Sequence, residues 1–455
     1  RCVRGVDVDP AAVAATRAGL AAWAGVAADS LDGIRCGDAL ADADPEPVDL
    51  VVGNPPFQSQ LAAATARTTD EAERLRLRLG DAVVRYVDTA AVFLVDAVAR
   101  LRPDGVAALV APLSILSAGD AAPIRQALTE AADLAGLWVA TEPVFAADVP
   151  TCAPVLIRRS AIRRPEVARW RGATFEDRPA APAPDPASTT WAPLLADLLA
   201  VPPVVLTGSS EAGRVVGDLG RATAGFRDQY YGLRGAVVEA AGPHDERPRL
   251  ITSGLIDPAA CRWGRAPVRF DRRPWTAPVV DLDWLAAEDP AVAAWGEALL
   301  VPKLVVATQT RVIEAAVDRT GTWWPSVPTI AVTAPPEALD HLLAVLLAPP
   351  VSAWAFGEAA GAALSSDALR LRASQIAAIP LPPPGAAWDA AATILADTAH
   401  SADADAADAA ANSAVGDVAS ISRDLLVEVG ALMCEAYGVG EDVLRWWMDR
   451  LPVRG

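Results

Sequence analysis

Short apolar runs alternate along the first 160 residues with stretches whose apolar residues recur at helical spacing. Helical spacing predicts helices over 11–24, 81–101 and 121–132. The apolar runs predict strands over 3–8, 33–36, 49–53, 106–111, 134–140 and 154–158. Strands that alternate with helices are typical of βαβ units and a parallel sheet, so this part of the chain is expected to form a doubly wound α/β sheet.

A chain of 455 residues exceeds the size of one compact core, so we expect more than one domain. The proline and alanine sequence RPAAPAPDPAS at 178–188 indicates a linker, and mixed strand-like and turn-like sequence follows it. The last part holds an alanine and aspartate segment at 389–411 and two periodic helices. The predicted regions are an α/β domain over 1–165, a linker over 166–190, an α+β domain over 191–385 and an acidic helical region over 386–455.

Scattered cysteines and rare histidines exclude several kinds of site. The five cysteines form no CxxC pair, and with three histidines no usual zinc spacing arises, so no metal site is expected. Imidazole catalysis is disfavoured for the same reason. Neither a charged-then-apolar leader nor a run of about 18 apolar residues is visible, so we expect a cytoplasmic protein without a membrane partner.

The net charge of −18 hides an asymmetry. Residues 151–280 contain 18 arginines against 13 acidic residues, whereas residues 381–455 contain 4 arginines against 12 acidic residues. Nucleic acids bind to basic surfaces. The middle of the chain is therefore the candidate nucleic-acid surface, although a solvated arginine-rich surface fits the same count.

The sequence DLVVGNPPF, residues 49–57, carries the strongest chemical signal. Asn54 would lie beyond the carboxyl end of a strand, where open α/β sheets bind ligands. The two prolines hold the loop in one extended shape. The Asn54 amide oxygen and the Pro55 carbonyl could accept both hydrogens of a planar exocyclic amine and stabilise the positive charge of methyl transfer. Phe57 offers an aromatic face on which a flipped base could stack. The alternative for NPPF as a whole is a plain turn that closes a strand.

Two aspartates follow earlier strands in the same way. In GVDVDP, Asp7 ends a strand while Asp9 and Pro10 open a helix, which leaves Asp7 free to accept both hydroxyls of a ribose. In GDAL, Asp38 follows the next strand, where it could accept from an adenine amino group. An aspartate after a strand is commonly a turn residue or a helix cap. Asp7, Asp38 and Asn54 together, each after one of three successive strands, form a more specific pattern.

GVDVDP, GDAL and NPPF, in this order and spacing, resemble the adenine-specific DNA methyltransferases of type II and type IIG restriction and modification, whose catalytic domain precedes the target-recognition domain. The resemblance implies a Rossmann-like fold, S-adenosylmethionine as cofactor and duplex DNA as partner. The implied roles are cofactor binding for Asp7, Val8, Asp38, Ala39 and Asn54, catalysis for Asn54, Pro55, Pro56 and Phe57, and base stacking for Phe57 and, in EPVFAADVPT, for Phe145; an ordinary core aromatic is the alternative for Phe145.

The second half resembles the recognition domain of these enzymes in fragments such as TAGFRDQYYGL, residues 223–233. Arginines supply phosphate contacts, and glutamine and tyrosine supply donors to base edges. The candidate DNA-binding residues are Arg221, Arg227, Gln229, Tyr230, Tyr231 and Arg234.

The glycine-rich cofactor turn of the family has no counterpart in the 455 residues. We therefore expect the chain to be truncated at its N-terminus and to be inactive alone if that turn is needed. The single lysine, Lys303, lies in an apolar run, so no nuclease of the carboxylate and lysine type is evident. Whether a restriction endonuclease is a separate or fused partner stays open.

The leading hypothesis is methyl transfer from S-adenosylmethionine to the N6 amino group of an adenine that is flipped out of duplex DNA. One alternative is a methyltransferase with the same loop that acts on a release-factor glutamine or on ribosomal RNA. Another is a DNA-binding module whose catalytic half is vestigial.

Overall fold

A computed structural model describes residues 3–41, 46–58, 67–83, 87–145, 149–160, 163–206, 213–242, 244–363, 365, 367–411 and 421–452, with backbone only for Arg227 and residues 399–411. The chain forms two compact units, Arg1–Trp191 and Ala192–Gly455. The second unit begins at Ala192, one residue after the predicted start of the α+β domain at 191.

The first unit is an α/β fold. Its helices are α1 Pro10–Ala24, α2 Thr69–Leu79, α3 Thr89–Arg100 and α4 Ala122–Ala131. Its strands are β1 Gly5–Asp7, β2 Ile34–Cys36, β3 Val48–Gly53, β4 Leu101–Leu109, β5 Ala111–Pro112, β6 Ala132–Val139, β7 Thr151–Arg158, β8 Glu166–Arg171 and β9 Glu176–Pro182.

Two sheets make up this unit. Strands β1 and β2 pair in parallel, and the other strands form a sheet in the order β3-β4-β7-β6-β8-β9, with β5 beside β7. Strands β3 and β4 are parallel, whereas β7 runs antiparallel to β4 and β6. The expectation of an all-parallel sheet is therefore wrong at β7. The reason is that the described residues between β6 and β7 contain no crossover helix, and the chain returns alongside the strand it has just left.

Local capping sets the helix boundaries that position the site. Asp9 caps α1 by accepting from the Ala11 N–H at 2.8 Å, with Pro10 in the first turn. Asp88 caps α3 by accepting from the Ala90 N–H at 2.8 Å. The predicted helix over 81–101 therefore starts only at Thr89, because Asp88 has the extended backbone of a cap.

The prediction of a linker over 166–190 is wrong for most of that range. Strand β8 pairs in parallel with β6, and β9 pairs antiparallel with β8. The prolines in β9 are tolerated because β9 is the edge strand and has a neighbour on one side only. The buried Arg169 holds the pair together, since its Nε donates to the Pro179 carbonyl at 2.8 Å.

The second unit mixes helices with short strands. Its helices are α5 Ala192–Ala196, α6 Arg227–Gly232, α7 Leu282–Glu288, α8 Pro290–Glu297, α9 Leu339–Leu347, α10 Pro349–Ala359, α11 Ala373–Ala377, α12 Ala386–Ala411, α13 Arg423–Tyr437 and α14 Glu441–Met448. Its strands are β10 Arg221–Ala224, β11 Val237–Glu239, β12 Arg249–Ile251, β13 Ile256–Asp257, β14 Ala260–Cys261, β15 Val268–Phe270, β16 Arg273–Trp275, β17 Pro278–Val280, β18 Lys303–Val306, β19 Ala315–Asp318, β20 Trp323–Pro325 and β21 Ile330–Thr333.

Two four-stranded sheets organise this unit, in the orders β10-β21-β18-β19 and β11-β17-β12-β20. The second sheet carries a core that includes Phe270, Leu285 and the fully buried Trp324. In the first sheet the Lys303 ammonium contacts the Asp318 carboxylate at 2.5 Å, and both side chains are fully buried. The Lys303 side chain is thus buried in an ion pair, and this burial agrees with the apolar sequence around it.

The helices of 386–455 pack within the second unit. Helix α12 contacts α9 and α13, and α13 and α14 contact α10. No single helix of the described residues has the length and apolar composition to cross a membrane; by these two measures one bent pair, Pro336–Leu347 and Pro349–Ala359 at 65°, qualifies.

Candidate functional site

The NPPF loop is fastened at both ends. At its start, the Gly53 carbonyl accepts from the Val110 N–H at 3.0 Å. At its end, the Gln58 carbonyl accepts from the Thr89 N–H at 3.3 Å, at the first turn of α3. Between these points Pro55 is buried while Asn54 is exposed. The loop therefore presents the Asn54 side chain to solvent from a fixed backbone.

The Asp88 carboxyl supports the same end of the loop, because it accepts a hydrogen bond from the Gln58 N–H and caps α3. Burial raises the pKa of Asp88, and these two hydrogen bonds together with the charge of Arg67 oppose the rise. Sequence reasoning did not identify Asp88 or Gln58 as part of the site. The available signal was an aspartate directly before the helical run TAAVFLV.

The two predicted stacking residues lie together. The ring centroids of Phe57 and Phe145 are 5.7 Å apart with the planes at 89°, an edge-to-face contact, and both side chains are partly exposed. Phe145 lies between β6 and β7, far from Phe57 along the chain. The fold thus places a second aromatic face beside the loop that carries Asn54.

The acidic residues form a second group at the carboxyl ends of β1 and β2. The Asp7 carbonyl accepts from the Gly37 N–H at 2.9 Å, and the Asp7 carboxylate accepts from the Asp9 N–H at 2.8 Å. The Asp38 carboxylate accepts from the Leu40 N–H at 2.9 Å. Each carboxylate is exposed and is oriented by the turn that follows its strand.

Between these carboxylates in sequence, Val8 leaves 70% of its surface exposed at the end of β1. The turn after β2 is tied to α3, because the Arg100 guanidinium donates to the Ala39 carbonyl at 2.9 Å. Exposed carboxylates can accept from ribose hydroxyls and from an amino group, and an exposed apolar side chain can pack on a purine. These residues therefore fit the nucleoside part of a cofactor such as S-adenosylmethionine.

The candidate DNA residues of the second unit fare differently. Gln229 is fully buried, and its Nε2 donates to the Pro325 carbonyl at 3.2 Å. The prediction that Gln229 contacts DNA is therefore wrong, because α6 turns its side chain into the protein. Arg221 and Arg234 are exposed, as a phosphate contact would require, and their contact with DNA stays a prediction. The Arg227 side chain lies outside the described residues.

The two tyrosines of α6 also differ. Tyr230 is partly buried and packs on the core, with its ring centroid 5.1 Å from that of Phe270. Tyr231 leaves 44% of its surface exposed. The Arg234 guanidinium lies 4.6 Å from the centroid of the Tyr231 ring. Of the pair, Tyr231 is the better placed to meet a ligand.

Within the described ranges, no group of three His, Cys, Asp or Glu side chains is placed to hold a metal ion. The candidate site as described consists of carboxylates, an amide, prolines and aromatic rings.

Among solved structures, the type IIL restriction-modification enzyme MmeI in complex with DNA resembles this chain with a TM-score of 0.51 at 12% identity, covering 86% of this chain and 55% of that one. The type IIG restriction endonuclease BpuSI matches with a TM-score of 0.32 at 12% identity, over 91% of this chain and 56% of that one. The likeness to MmeI confirms the α/β fold class, and this chain spans about half of its length.

Sequence comparisons give two further matches. This chain is 56% identical to the ribosomal RNA large subunit methyltransferase G of Streptomyces griseus subsp. griseus over 46 residues, which are 10% of this chain and 12% of that protein. Residues 5–168 match the family model of N-6 DNA methylases, a range that contains Asp7, Asp38, Asn54 and Phe145. The recognition based on GVDVDP, GDAL and NPPF is thereby confirmed as a match of residues 5–168, about a third of the chain, to the N-6 DNA methylases.

Proposed function

We propose that the protein transfers a methyl group from S-adenosylmethionine to the N6 amino group of an adenine extruded from duplex DNA. The observation that carries the proposal is the contact of Phe57 with Phe145 at 5.7 Å beside the exposed Asn54. An unstacked base needs aromatic surface to replace its neighbours in the duplex, and a hydrogen-bond acceptor to select an amino group. The family match over residues 5–168 supports the same assignment.

Asn54 and the backbone of Pro55 orient the amino group. The amide oxygen of Asn54 accepts one hydrogen, and the Pro55 carbonyl accepts the other. Both acceptors would stabilise the positive charge that develops on the nitrogen as its bond to the methyl group forms and the bond of the methyl group to the donor sulfur breaks. The nitrogen then loses one proton to solvent. Because the anchors at Gly53 and Gln58 fix the loop, little ordering is required when the base arrives.

The ends of β1 and β2 hold the cofactor in this proposal. Asp7 accepts from the ribose hydroxyls, Asp38 accepts from the adenine amino group, and Val8 and Ala39 contact the adenine ring. S-adenosylmethionine, when bound, supplies an electrophilic methyl group on a sulfonium. These residues thus bind and orient the methyl donor, while Asn54 and Pro55 act on the acceptor.

The test is the substitution Asn54→Ala in the full-length protein. We expect the rate of tritiated methyl transfer to duplex DNA to fall by at least about 100-fold, the usual cost of removing one group that stabilises transition-state charge. Calorimetry should show cofactor binding close to that of the wild type, because in this proposal the residues at the ends of β1 and β2 hold the cofactor and Asn54 acts on the acceptor. Methylation by Asn54→Ala at nearly the wild-type rate would refute the mechanism.

A second candidate acceptor is ribosomal RNA, which the 46-residue match to a ribosomal RNA methyltransferase favours. The same tritium assay with duplex DNA, ribosomal RNA and a release factor distinguishes the acceptors. Transfer to RNA or to the release factor without transfer to DNA would overturn the proposal. A binding-only protein would give neither transfer nor heat with S-adenosylmethionine.

A further inference from the structure

The hairpin of β15 and β16 has an unusual turn. Phe270 pairs with Arg273, so only Asp271 and Arg272 connect the strands. Their φ angles are 47° and 64°, in the left-handed region. A two-residue hairpin turn with positive φ at both positions is of type I′, which normally uses asparagine, aspartate or glycine there. An arginine at the second position is costly to the backbone, which suggests that its side chain has a role.

The base of this hairpin is fixed to the core. Phe270 is 3% exposed and belongs to the core cluster of the second sheet, while the Trp275 Nε1 donates to the Phe270 carbonyl at 3.2 Å. The Glu239 carboxylate accepts from the Thr276 and Ala277 N–H groups that follow β16, at 3.3 and 2.5 Å. The hairpin is therefore a stiff projection.

Its tip is also bound to the segment that follows helix α6. The Arg234 Nε contacts the Asp271 carboxylate at 2.9 Å, and the Arg234 guanidinium covers the exposed ring of Tyr231. Arg234, one of the predicted DNA-binding residues, thus neutralises the only acidic residue of the hairpin. Among the described residues, the arginines of the hairpin itself therefore do not pair with Asp271.

The remaining charges at the hairpin are positive. Arg269, Arg272 and Arg273 are exposed, and within the described part of the chain none of them has an ion pair, whereas Arg247 and Arg262 pair with nearby acids. Residues 221–275 contain ten arginines against six acidic residues, in a chain of net charge −18. A concentrated positive charge on a stiff, narrow element calls for an anionic partner with a groove.

We propose that the hairpin 268–275 enters a groove of duplex DNA, with Arg272 and Arg273 bound to backbone phosphates. This rests on the proposed function, since it assigns the DNA contact of that reaction to particular residues. A two-stranded ribbon fits the major groove. Guanidinium groups bind phosphate oxygens in a bidentate manner, and a stiff hairpin loses little conformational entropy on docking.

The test compares two charge-matched double variants of the full chain. The first is Arg272→Gly with Arg273→Gln; glycine suits the φ of 64°, so the turn is expected to keep its shape without the side chain. The control is Arg370→Gln with Arg445→Gln, which removes two exposed arginines of the same unit. The affinity for a labelled duplex of mixed sequence is measured by fluorescence anisotropy over a salt series.

The slope of log K against log salt is negative, and loss of two phosphate contacts should make it less steep by about 1.8. The wild type's advantage over the hairpin variant should therefore shrink about 12-fold between about 50 and 200 mM salt. The control should keep the wild-type slope, and Arg272→Lys with Arg273→Lys should largely restore it. Unchanged DNA binding by the hairpin variant, or an equal change in the control, overturns this inference alone. If the wild type does not bind duplex DNA, both the hairpin inference and the proposal that DNA accepts the methyl group are refuted. Wild-type binding of polyglutamate as tight as that of DNA overturns the choice of partner.

Discussion

The contact between Phe57 and Phe145 leads to a quantitative prediction for Phe145→Ala. A base sandwiched between two rings needs centroids about 7 Å apart, since each aromatic contact takes about 3.5 Å. The observed separation is 5.7 Å with perpendicular planes. Entry of a base between the rings therefore requires that the two rings first give up their contact.

The free energy of the contact between the two rings opposes the free energy gained when a base stacks on Phe145. The edge-to-face contact contributes about 0.5–1.5 kcal/mol, and stacking of one base contributes about 1–3 kcal/mol. The net contribution of Phe145 to binding of the flipped base is the difference, about 1 kcal/mol at the centre of both ranges. At RT of about 0.6 kcal/mol this corresponds to about a five-fold effect.

The assay is kcat/KM for tritiated methyl transfer to duplex DNA. We expect Phe145→Ala to lower it about five-fold while affinity for S-adenosylmethionine is unchanged, and Phe145→Tyr to retain most of the activity because it keeps the ring. Activity of Phe145→Ala more than about two-fold above that of the wild type would lie below the smallest difference between the two ranges, about −0.5 kcal/mol, and would refute the stacking role. A loss above about 70-fold, which corresponds to about 2.5 kcal/mol, would exceed the largest difference between the two ranges and would refute the account of its size.

Two further predictions concern stability. Lys303→Met should lower the unfolding free energy of the second unit in a urea titration by about 3 kcal/mol, the lower end for a broken buried pair, because Asp318 keeps bonds from the Gly321 and Trp323 N–H groups. A double variant with Asp318→Asn should recover part of the loss, because the amide removes the buried charge but can accept from only one of these two N–H groups. A loss below about 1 kcal/mol for Lys303→Met would contradict this. Since burial raises the pKa of Asp88, its ionisation opposes folding, so the stability of the wild type relative to Asp88→Asn should be greatest below about pH 3.9 and should fall as the pH rises through the folded pKa. A difference that grows with pH would contradict the sign of the shift.

Local sequence was sufficient for the elements that carry the motifs. The spans of α1, β3 and β6 follow from apolar spacing and from caps such as Asp9, because these depend on residues a few positions apart. The same holds for the exposed Asn54 after β3. The linker prediction failed because prolines have a different meaning on a paired edge strand such as β9, and the pairing is not local.

The sequence by itself determined the order of the strands with their chemical residues at the carboxyl ends, since strand, turn and cap preferences are properties of neighbouring residues. Only the tertiary structure decided which side chains meet: Phe145 comes to Phe57, Gln229 turns into the core, and Arg234 pairs with Asp271. Such contacts join distant segments. They depend on sheet pairing and on which helix face is buried, and these follow from packing of the whole unit.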